Sequence, residues 1–173
     1  MKTKAEISSL RPLKPATAAR YLGIDVRARR FAFVAVENSV VLDCGTRMCR
    51  KSLYDNCLGQ RFNSLLTTYR PAALIVRTAN GIHATPTRAR VAAAIRRRAR
   101  CYGVELISIQ TATIQRHFSG HSARTKHQVA TTVASLFPEL AWMLPGVRKP
   151  WETEHYRMSI FDAAAGLAAY LEL

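Results

Sequence analysis

Residues 22–37, LGIDVRARRFAFVAVE, place one carboxylate, Asp25, inside an apolar run that is typical of a β-strand. Three arginines, Arg27, Arg29 and Arg30, follow it before a second apolar run begins. An unpaired buried carboxylate either costs several kcal/mol or takes up a proton and becomes neutral. A folded chain that keeps Asp25 ionised must therefore give it a cation, and the candidates are a metal ion or a basic side chain.

The chain as a whole is strongly basic. It has 26 Lys and Arg against 11 Asp and Glu in 173 residues, a formal net charge of +15. A solvated surface does not need so large an imbalance, which favours a polyanionic partner. DNA or RNA is the leading prediction, and an anionic membrane surface or a protein partner are the alternatives.

The positive charge is concentrated in the middle of the sequence. No acid occurs between Asp55 and Glu105, whereas this stretch contains nine arginines, six of them between positions 88 and 100. Small apolar residues interleave these six, which predicts a helix with one apolar and one basic face. The predicted nucleic-acid contacts are Arg27, Arg29, Arg30, Arg88, Arg90, Arg96, Arg97, Arg98, Arg100, Arg124 and Lys126.

Length and composition predict one domain over residues 19–173, preceded by a basic, flexible arm over 1–18. The four cysteines lack the paired spacing of a zinc site, so reduced thiols in an intracellular protein are expected, cytoplasmic or nucleoid-associated. No apolar run approaches the length of a membrane span, and we expect no membrane partner. An organellar targeting peptide is an alternative for the arm, although Glu6 and two prolines count against it.

The order of predicted elements indicates an α/β fold. Three antiparallel strands, at 21–26, 31–36 and 40–45, precede a helix from 52 to 69 that Pro71 stops. A buried strand at 71–76, the arginine helix at 87–102 and a strand at 104–109 come next. Helices are predicted at 111–118, 122–136 and 156–172. This order predicts a mixed five-stranded sheet, with three antiparallel strands and then two parallel ones, flanked by helices.

Three passages resemble the ribonuclease H-like fold of the RuvC-like Holliday-junction resolvases. YLGIDVRARRFAFVAVE, at 21–37, resembles the first hairpin with its metal-binding aspartate. FSGHSARTKHQVATTVASLF, at 118–137, resembles the segment after the fifth strand, and SIFDAAAGLAAYL, at 159–171, resembles the final helix. The resemblance implies an Mg²⁺- or Mn²⁺-dependent endonuclease that uses Asp25 and Asp162 as metal ligands.

The sequence departs from that pattern at two ligand positions. The resemblance implies a glutamate at the end of the fourth strand, where Arg77 stands, and an earlier ligand on the last helix, where Ser159 stands. It also implies an aromatic wedge near position 80, where Asn80 stands and cannot stack in the same way. Glu154 and His155, just before the final helix, are possible replacement ligands. If the fold is right, the guanidinium of Arg77 should bridge Asp25 and Asp162 and supply positive charge without a metal.

Two further groups have open interpretations. His117, His121 and His127 surround one predicted helix start, where a zinc cluster is conceivable and phosphate contact or solvent exposure is more ordinary. Trp142 and Trp151 bracket an irregular loop, where core packing or loop anchoring is the ordinary interpretation and base stacking is the alternative.

The leading hypothesis is a RuvC-like nucleic-acid-binding protein, a pseudoenzyme for branched or structured DNA or RNA, with an incomplete metal site and little or no nuclease activity. An active Mg²⁺-dependent, structure-selective endonuclease with a rearranged ligand set is the alternative. A third possibility is a structural subunit of a ribonucleoprotein. A homodimer or a larger nucleoprotein assembly is compatible with each.

Overall fold

The computed structural model describes residues 19–27, 30–48, 54–78 and 86–173, and for residues 54–58, 87 and 88 the backbone alone. Several sequence-based predictions fall outside these described residues. They concern the arm at 1–18, the helix start at Ser52 with the side chain of Asp55, the side chains of Arg29 and Arg88, the wedge position Asn80, and Cys49 and the side chain of Cys57.

The described elements follow the predicted order. The strands are β1 (Arg20–Val26), β2 (Arg30–Glu37), β3 (Val40–Met48), β4 (Ala73–Thr78) and β5 (Glu105–Gln110). The helices are α1 (Tyr54–Tyr69), α2 (Pro86–Cys101), α3 (Thr111–Ser119), α4 (Lys126–Leu136) and α5 (Met158–Leu171), with a 3₁₀ helix at Pro138–Met143 that the sequence reading did not anticipate. The sheet order β3-β2-β1-β4-β5, antiparallel from β1 to β3 and parallel from β1 to β5, confirms the predicted fold class.

A two-residue turn fixes the register of β2 against β3. Asn38 and Ser39 both have positive φ angles, 51° and 65°, and they lie between the paired residues Glu37 and Val40. Two left-handed residues in succession are the backbone of a type I′ turn, whose twist matches that of the flanking strands. This confirms the turn that the sequence predicts at Asn38 and Ser39.

The sheet separates two cores. On one face, Leu22, Ile24 and Val26 of β1 pack against α1 and the apolar side of α2. On the other face, Ala73 and Ile75 of β4 pack against α3, α4 and α5. Side chains alternate between the faces of a strand, so the side chain of Asp25 points toward α5 and Gly23 faces the same helix.

Helix α5 lies unusually close to β1. Every residue of α5 from Met158 to Ala168 is buried. A Cβ atom added to Gly23 would lie 2.7 Å from the carbonyl oxygen of Ala163 and 2.7 Å from Cγ of Leu167. Only glycine therefore leaves room for the helix at this position of β1. This close contact brings Asp162, the residue before Ala163 in α5, toward the end of β1.

The start of α4 differs from the prediction. The apolar pattern predicts a helix from 122, but the helix begins at Lys126 and Ser122 adopts a left-handed conformation with φ of 59°. Thr125 forms a capping box with Gln128: Thr125 Oγ1 accepts from the Gln128 amide at 3.2 Å, and Gln128 Oε1 accepts from the Thr125 amide at 2.9 Å. These bonds satisfy free amide groups of the first turn and so define the start of the helix.

None of the helices in the described part of the chain is both long enough and apolar enough to cross a membrane.

Candidate functional site

Two strands and one helix bring Asp25, Arg77 and Asp162 together. Asp25 of β1 is the direct partner of Arg77 in the parallel pairing with β4. Both side chains point to the face of the sheet that α5 covers. Asp25 is 1% exposed and Asp162 is 8% exposed, so neither is the solvent-exposed acid that a surface position would give.

Arg27 holds the two aspartates together. Its Nε donates to Asp25 Oδ2 at 2.5 Å, and its Nη2 donates to Asp162 Oδ2 in a short hydrogen bond. Its Nη1 lies 3.5 Å from Glu154 Oε2. One guanidinium therefore contacts three carboxylates that come from β1, α5 and the loop before α5.

Arg77 and Lys126 complete the cluster from two other directions. Arg77 Nη1 lies 2.7 Å from Asp162 Oδ1 and 3.8 Å from Asp25 Oδ1, as the electrostatic argument from the sequence expects. Lys126 Nζ lies 2.9 Å from Asp162 Oδ2 and forms a second, short contact with Glu154 Oε1. Its charge is thus engaged with two carboxylates.

The two suggested replacement residues have different positions. Glu154 reaches the cluster through Arg27 and Lys126. His155 does not, because its ring stacks on Tyr156 with 4.7 Å between centroids and its Nδ1 accepts from the Arg157 amide at 3.3 Å. Of this pair, only Glu154 belongs to the site.

Burial and charge act in opposite directions on the acids. Burial raises the pKa of Asp25 and the nearby Asp162 charge raises it further, and Arg27 and Arg77 offset this only in part. Burial alone would also raise the pKa of Glu154, but the hydrogen bond and charge of Lys126, with Arg27 and Arg77, bring it below the ordinary value. For Arg27, burial would lower the pKa, yet Asp25 and Asp162 raise it, so this side chain stays charged.

Counted as formal charges, the cluster is balanced without a metal ion. Three carboxylates, Asp25, Asp162 and Glu154, face three cations, Arg27, Arg77 and Lys126. Two-metal hydrolysis needs several carboxylates free to ligate divalent ions about 4 Å apart. Here carboxylate oxygens of all three acids accept from basic side chains, and these residues do not fit a pair of divalent ions.

Ser159, which stands where the resemblance implies a ligand, and the three histidines near the start of α4 contact groups outside this cluster of charges. Ser159 is buried, and its hydroxyl donates to the Tyr156 carbonyl at 2.7 Å. The rings of His117 and His121 lie 5.3 Å apart, but His127 instead contacts the Pro145 carbonyl oxygen at 3.1 Å. Within the described ranges, no group of three or more His, Cys, Asp or Glu side chains is placed to hold a metal, which does not support the zinc alternative for these histidines.

The basic helix α2 lies on the other side of the sheet from this cluster. Its apolar side is buried, as the pattern predicts, and exposed arginines occupy the opposite side: Arg90, Arg96, Arg97 and Arg100. Arg98 differs, because it is half-buried and an added Cβ on Gly59 of α1 would lie 2.6 Å from its Nη2. Arg30 is half-buried and Arg124 is exposed.

Both tryptophans are at the surface. Trp142 is 73% exposed and Trp151 is 79% exposed, so core packing, one of the two ordinary interpretations, is wrong for both, and loop anchoring stays untested. Their neighbours are basic, since the guanidinium of Arg157 lies 5.6 Å from the Trp142 ring centroid and Lys149 Nζ lies 5.8 Å from that of Trp151.

Sequence reasoning assigned Arg27 and Lys126 to nucleic-acid contact and did not place them in the acid cluster. For Arg27 a signal was present, because it lies two residues after Asp25 and alternation puts both on one side of the chain. For Lys126 no local signal exists, because its acidic partners come from the far end of the sequence and meet it only through packing of α4 on α5.

The shifted pKa of Glu154 predicts a pH-dependent contribution to stability. A carboxyl whose folded-state pKa is lowered stabilises the fold fully above its ordinary value of 4.5, and this contribution is lost as the pH falls through the lower folded value. We expect Glu154→Gln to be less stable than the wild type at neutral pH, and we expect the difference in free energy of unfolding to become smaller as the pH falls. Urea unfolding of both proteins from neutral to acidic pH measures this difference. A difference that grew as the pH fell would contradict the prediction.

No protein-family model matches the sequence, and no curated protein sequence is detectably similar to it. Solved structures do share its fold. Thermus thermophilus RuvC in complex with a Holliday junction substrate matches with a TM-score of 0.65 and 15% identity over 89% of this chain and 95% of that chain.

Two other resolvases match similarly. The yeast mitochondrial Holliday junction resolvase has a TM-score of 0.64 and 13% identity over 90% of this chain and 80% of its own. The Fowlpox virus resolvase, in a complex with substrate Holliday junction DNA, has a TM-score of 0.54 and 12% identity over 88% and 99%. These likenesses confirm the predicted ribonuclease H-like fold of the RuvC type.

Proposed function

We propose that this chain binds branched or structured nucleic acid through its RuvC-like domain and has little or no nuclease activity. The observation that supports the lack of nuclease activity is the ion-pair cluster. In it, Arg27, Arg77 and Lys126 neutralise the acids that would otherwise be free to ligate divalent ions. To bind here, two hydrated Mg²⁺ ions would have to give up water ligands and displace three cations from carboxylates that are already paired.

The binding half of the proposal is supported by charge and by fold. The formal net charge is +15, and residues 56–104, which include most of α1 and all of α2, contain no acid. The structures that share the fold include two resolvases in complex with junction DNA. Phosphate contact by exposed arginines gives affinity that depends on salt and little on sequence.

Arg96 and Arg100 provide the test of binding. Each phosphate contact contributes about 0.9 to the slope of log affinity against log salt on duplex DNA, so Arg96→Gln with Arg100→Gln should reduce the slope by about two units. Binding should weaken equally on unrelated sequences. The matched control is Arg116→Gln, which removes an exposed arginine from α3 on the other side of the sheet. Unchanged affinity and slope in a folded double variant would contradict the assignment to α2.

A panel of duplex, four-way junction and structured RNA, each with and without Mg²⁺, tests shape preference and cleavage together. We expect binding without cleavage, and tighter binding of the branched or structured substrates than of plain duplex.

The alternative is an Mg²⁺-dependent endonuclease with a rearranged ligand set, and the position of Glu154 within the cluster is the observation that favours it. Robust Mg²⁺-dependent cleavage by the wild type, abolished by Asp25→Asn, would establish this alternative and overturn the inactive assignment.

A further inference from the structure

Three large aromatic side chains are exposed in the segment that precedes α5, between Trp142 and Tyr156. Trp142 and Trp151 are more than two-thirds exposed, and Tyr156 is 47% exposed. Trp142 belongs to a 3₁₀ turn whose neighbours Leu140 and Met143 are buried, so the turn anchors itself through those residues and leaves the indole outside. Clustered exposed aromatic rings are a mark of an interaction surface. We refer to these three residues as the aromatic platform.

Basic groups alternate with the rings of the aromatic platform. The guanidinium of Arg157 lies 5.6 Å from the ring centroid of Trp142 and 5.8 Å from that of Tyr156, so it bridges two aromatic residues. Lys149 Nζ lies 5.8 Å from the ring centroid of Trp151. Planar rings with adjacent cations are the combination that binds unpaired nucleotides, because the ring stacks on the base and the cation meets the phosphate.

A cleft of about 1110 Å³ adjoins the platform and leads to the cluster. Trp151, Arg148 and Arg157 line it, and so do Lys126 and Glu154 of the cluster. The volume is larger than a single small-molecule site needs. A strand lying on the platform and following this cleft would therefore pass beside Lys126 and Glu154 of the cluster.

We infer that the aromatic platform is a stacking site for the unpaired bases of a single nucleic-acid strand. The inference rests on the proposed function and deepens it, because it names the part of the nucleic acid that this surface takes. A strand is favoured over a protein partner by charge. Lys149 and Arg157 lie against the rings and Arg148 lines the cleft beside Trp151. The acids of the cleft, Glu152 and Glu154, are engaged by the Lys149 amide and by Lys126 with Arg27.

Intrinsic fluorescence reports on this surface directly, because the chain has two tryptophans and both belong to the platform. The probe is a deoxythymidine oligonucleotide of about 12 nucleotides, within the range of single-strand site sizes, which does not pair with itself. We expect it to quench the emission. Trp142→Phe and Trp151→Phe each keep an aromatic ring that can stack and leave a single tryptophan. Comparing the two variants therefore shows which tryptophan is quenched.

Affinity provides the second measurement. Trp142→Ala and Trp151→Ala should each weaken oligonucleotide binding by roughly 5- to 150-fold, the range for loss of one stacked base. The phenylalanine variants should retain most of the affinity. Tyr170→Ala is the matched control, because Tyr170 is a partly exposed aromatic residue at the end of α5, outside the platform, and its loss should leave binding unchanged. Blunt duplex binding should also be unchanged in the tryptophan variants.

The possible outcomes separate the inference from the proposed function. If duplex and junction bind but the oligonucleotide neither quenches the tryptophans nor distinguishes the alanine variants from the wild type, the stacking site is wrong and the proposed function stands. If no nucleic acid binds at all, both proposals fail.

Discussion

Arg27→Gln is expected to lower the free energy of unfolding by about 3 kcal/mol, at the lower end of the range for removing one partner of a buried ion pair. The lower end applies because a quarter of the Arg27 side chain is exposed. The variant leaves Asp25, which is 1% exposed, with Arg77 as its remaining cation in the cluster, at 3.8 Å. Three acids would then face two cations. Urea unfolding measures the loss.

The matched control for Arg27 is Arg20→Gln. Arg20 also pairs with a carboxylate, Glu37, at 2.8 Å, but the two side chains are 41% and 26% exposed. Exposed pairs contribute between zero and about 1 kcal/mol, so this substitution should cost far less. Adding Asp25→Asn to Arg27→Gln removes one acid with one cation, and we expect it to recover part of the lost stability because the charges balance again.

The effect of divalent ions on stability is a second, independent test of the same variant. Mn²⁺ should raise the unfolding midpoint of Arg27→Gln, because the uncompensated carboxylates can accept a metal, and should leave that of the wild type unchanged. Equal stability of Arg27→Gln and Arg20→Gln, or an equal response of wild type and variant to Mn²⁺, would show that the cluster does not take the place of metal.

The second large effect is expected from rebuilding a metal site with Arg77→Glu and Ser159→Asp. Arg77 is the register partner of Asp25, so a glutamate there adds a carboxylate at the end of β4 and removes a competing cation. Ser159 lies three residues before Asp162 on α5 and therefore on the same helix face. Calorimetry should show Mn²⁺ binding at least about tenfold tighter than in the wild type, a difference of about 1.4 kcal/mol.

The variant without metal should be less stable than the wild type, because like charges would then be crowded in a buried site. Arg77→Gln with Ser159→Asn is the control: it removes the same cation and adds polar groups of similar size without new negative charge. If the control bound Mn²⁺ as tightly as the carboxylate variant, loss of Arg77 alone would explain the gain. If neither bound Mn²⁺ more tightly than the wild type, the placement of positions 77 and 159 around the site would be wrong. Trace nicking of junction DNA by the carboxylate variant would add to the support.

The sequence by itself determined the elements and the faces to which their side chains belong. Alternation in β1 separates Leu22, Ile24 and Val26 from Asp25, and Asn38 with Ser39 forms the predicted turn. These features depend on local chemistry: strand periodicity, backbone conformations of turn residues, and the inability of a helix to continue through Pro71. For the same reason, the apolar and basic sides of α2 could be predicted from the spacing of its alanines and arginines.

Local chemistry also limited what could be predicted at the ends of elements. The apolar pattern over 122–136 carries no information on which polar residue caps the helix. The capping box of Thr125 and Gln128 sets the first turn at Lys126, four residues later than predicted.

Only the tertiary structure decided which cations meet Asp25. The sequence requires a positive partner for a buried acid, and the resemblance predicts Arg77 in that role, but the sequence gives no reason to place Arg27 closer to Asp25 than Arg77, since Coulomb attraction depends on distance and the chain does not state distances. The register of β1 with β4 placed Arg77, and the close packing of α5 on Gly23 brought in Asp162. Exposure of Trp142 and Trp151 was settled in the same way, because an aromatic residue outside the strands and long helices is buried or exposed according to what packs over it, and that depends on the whole fold.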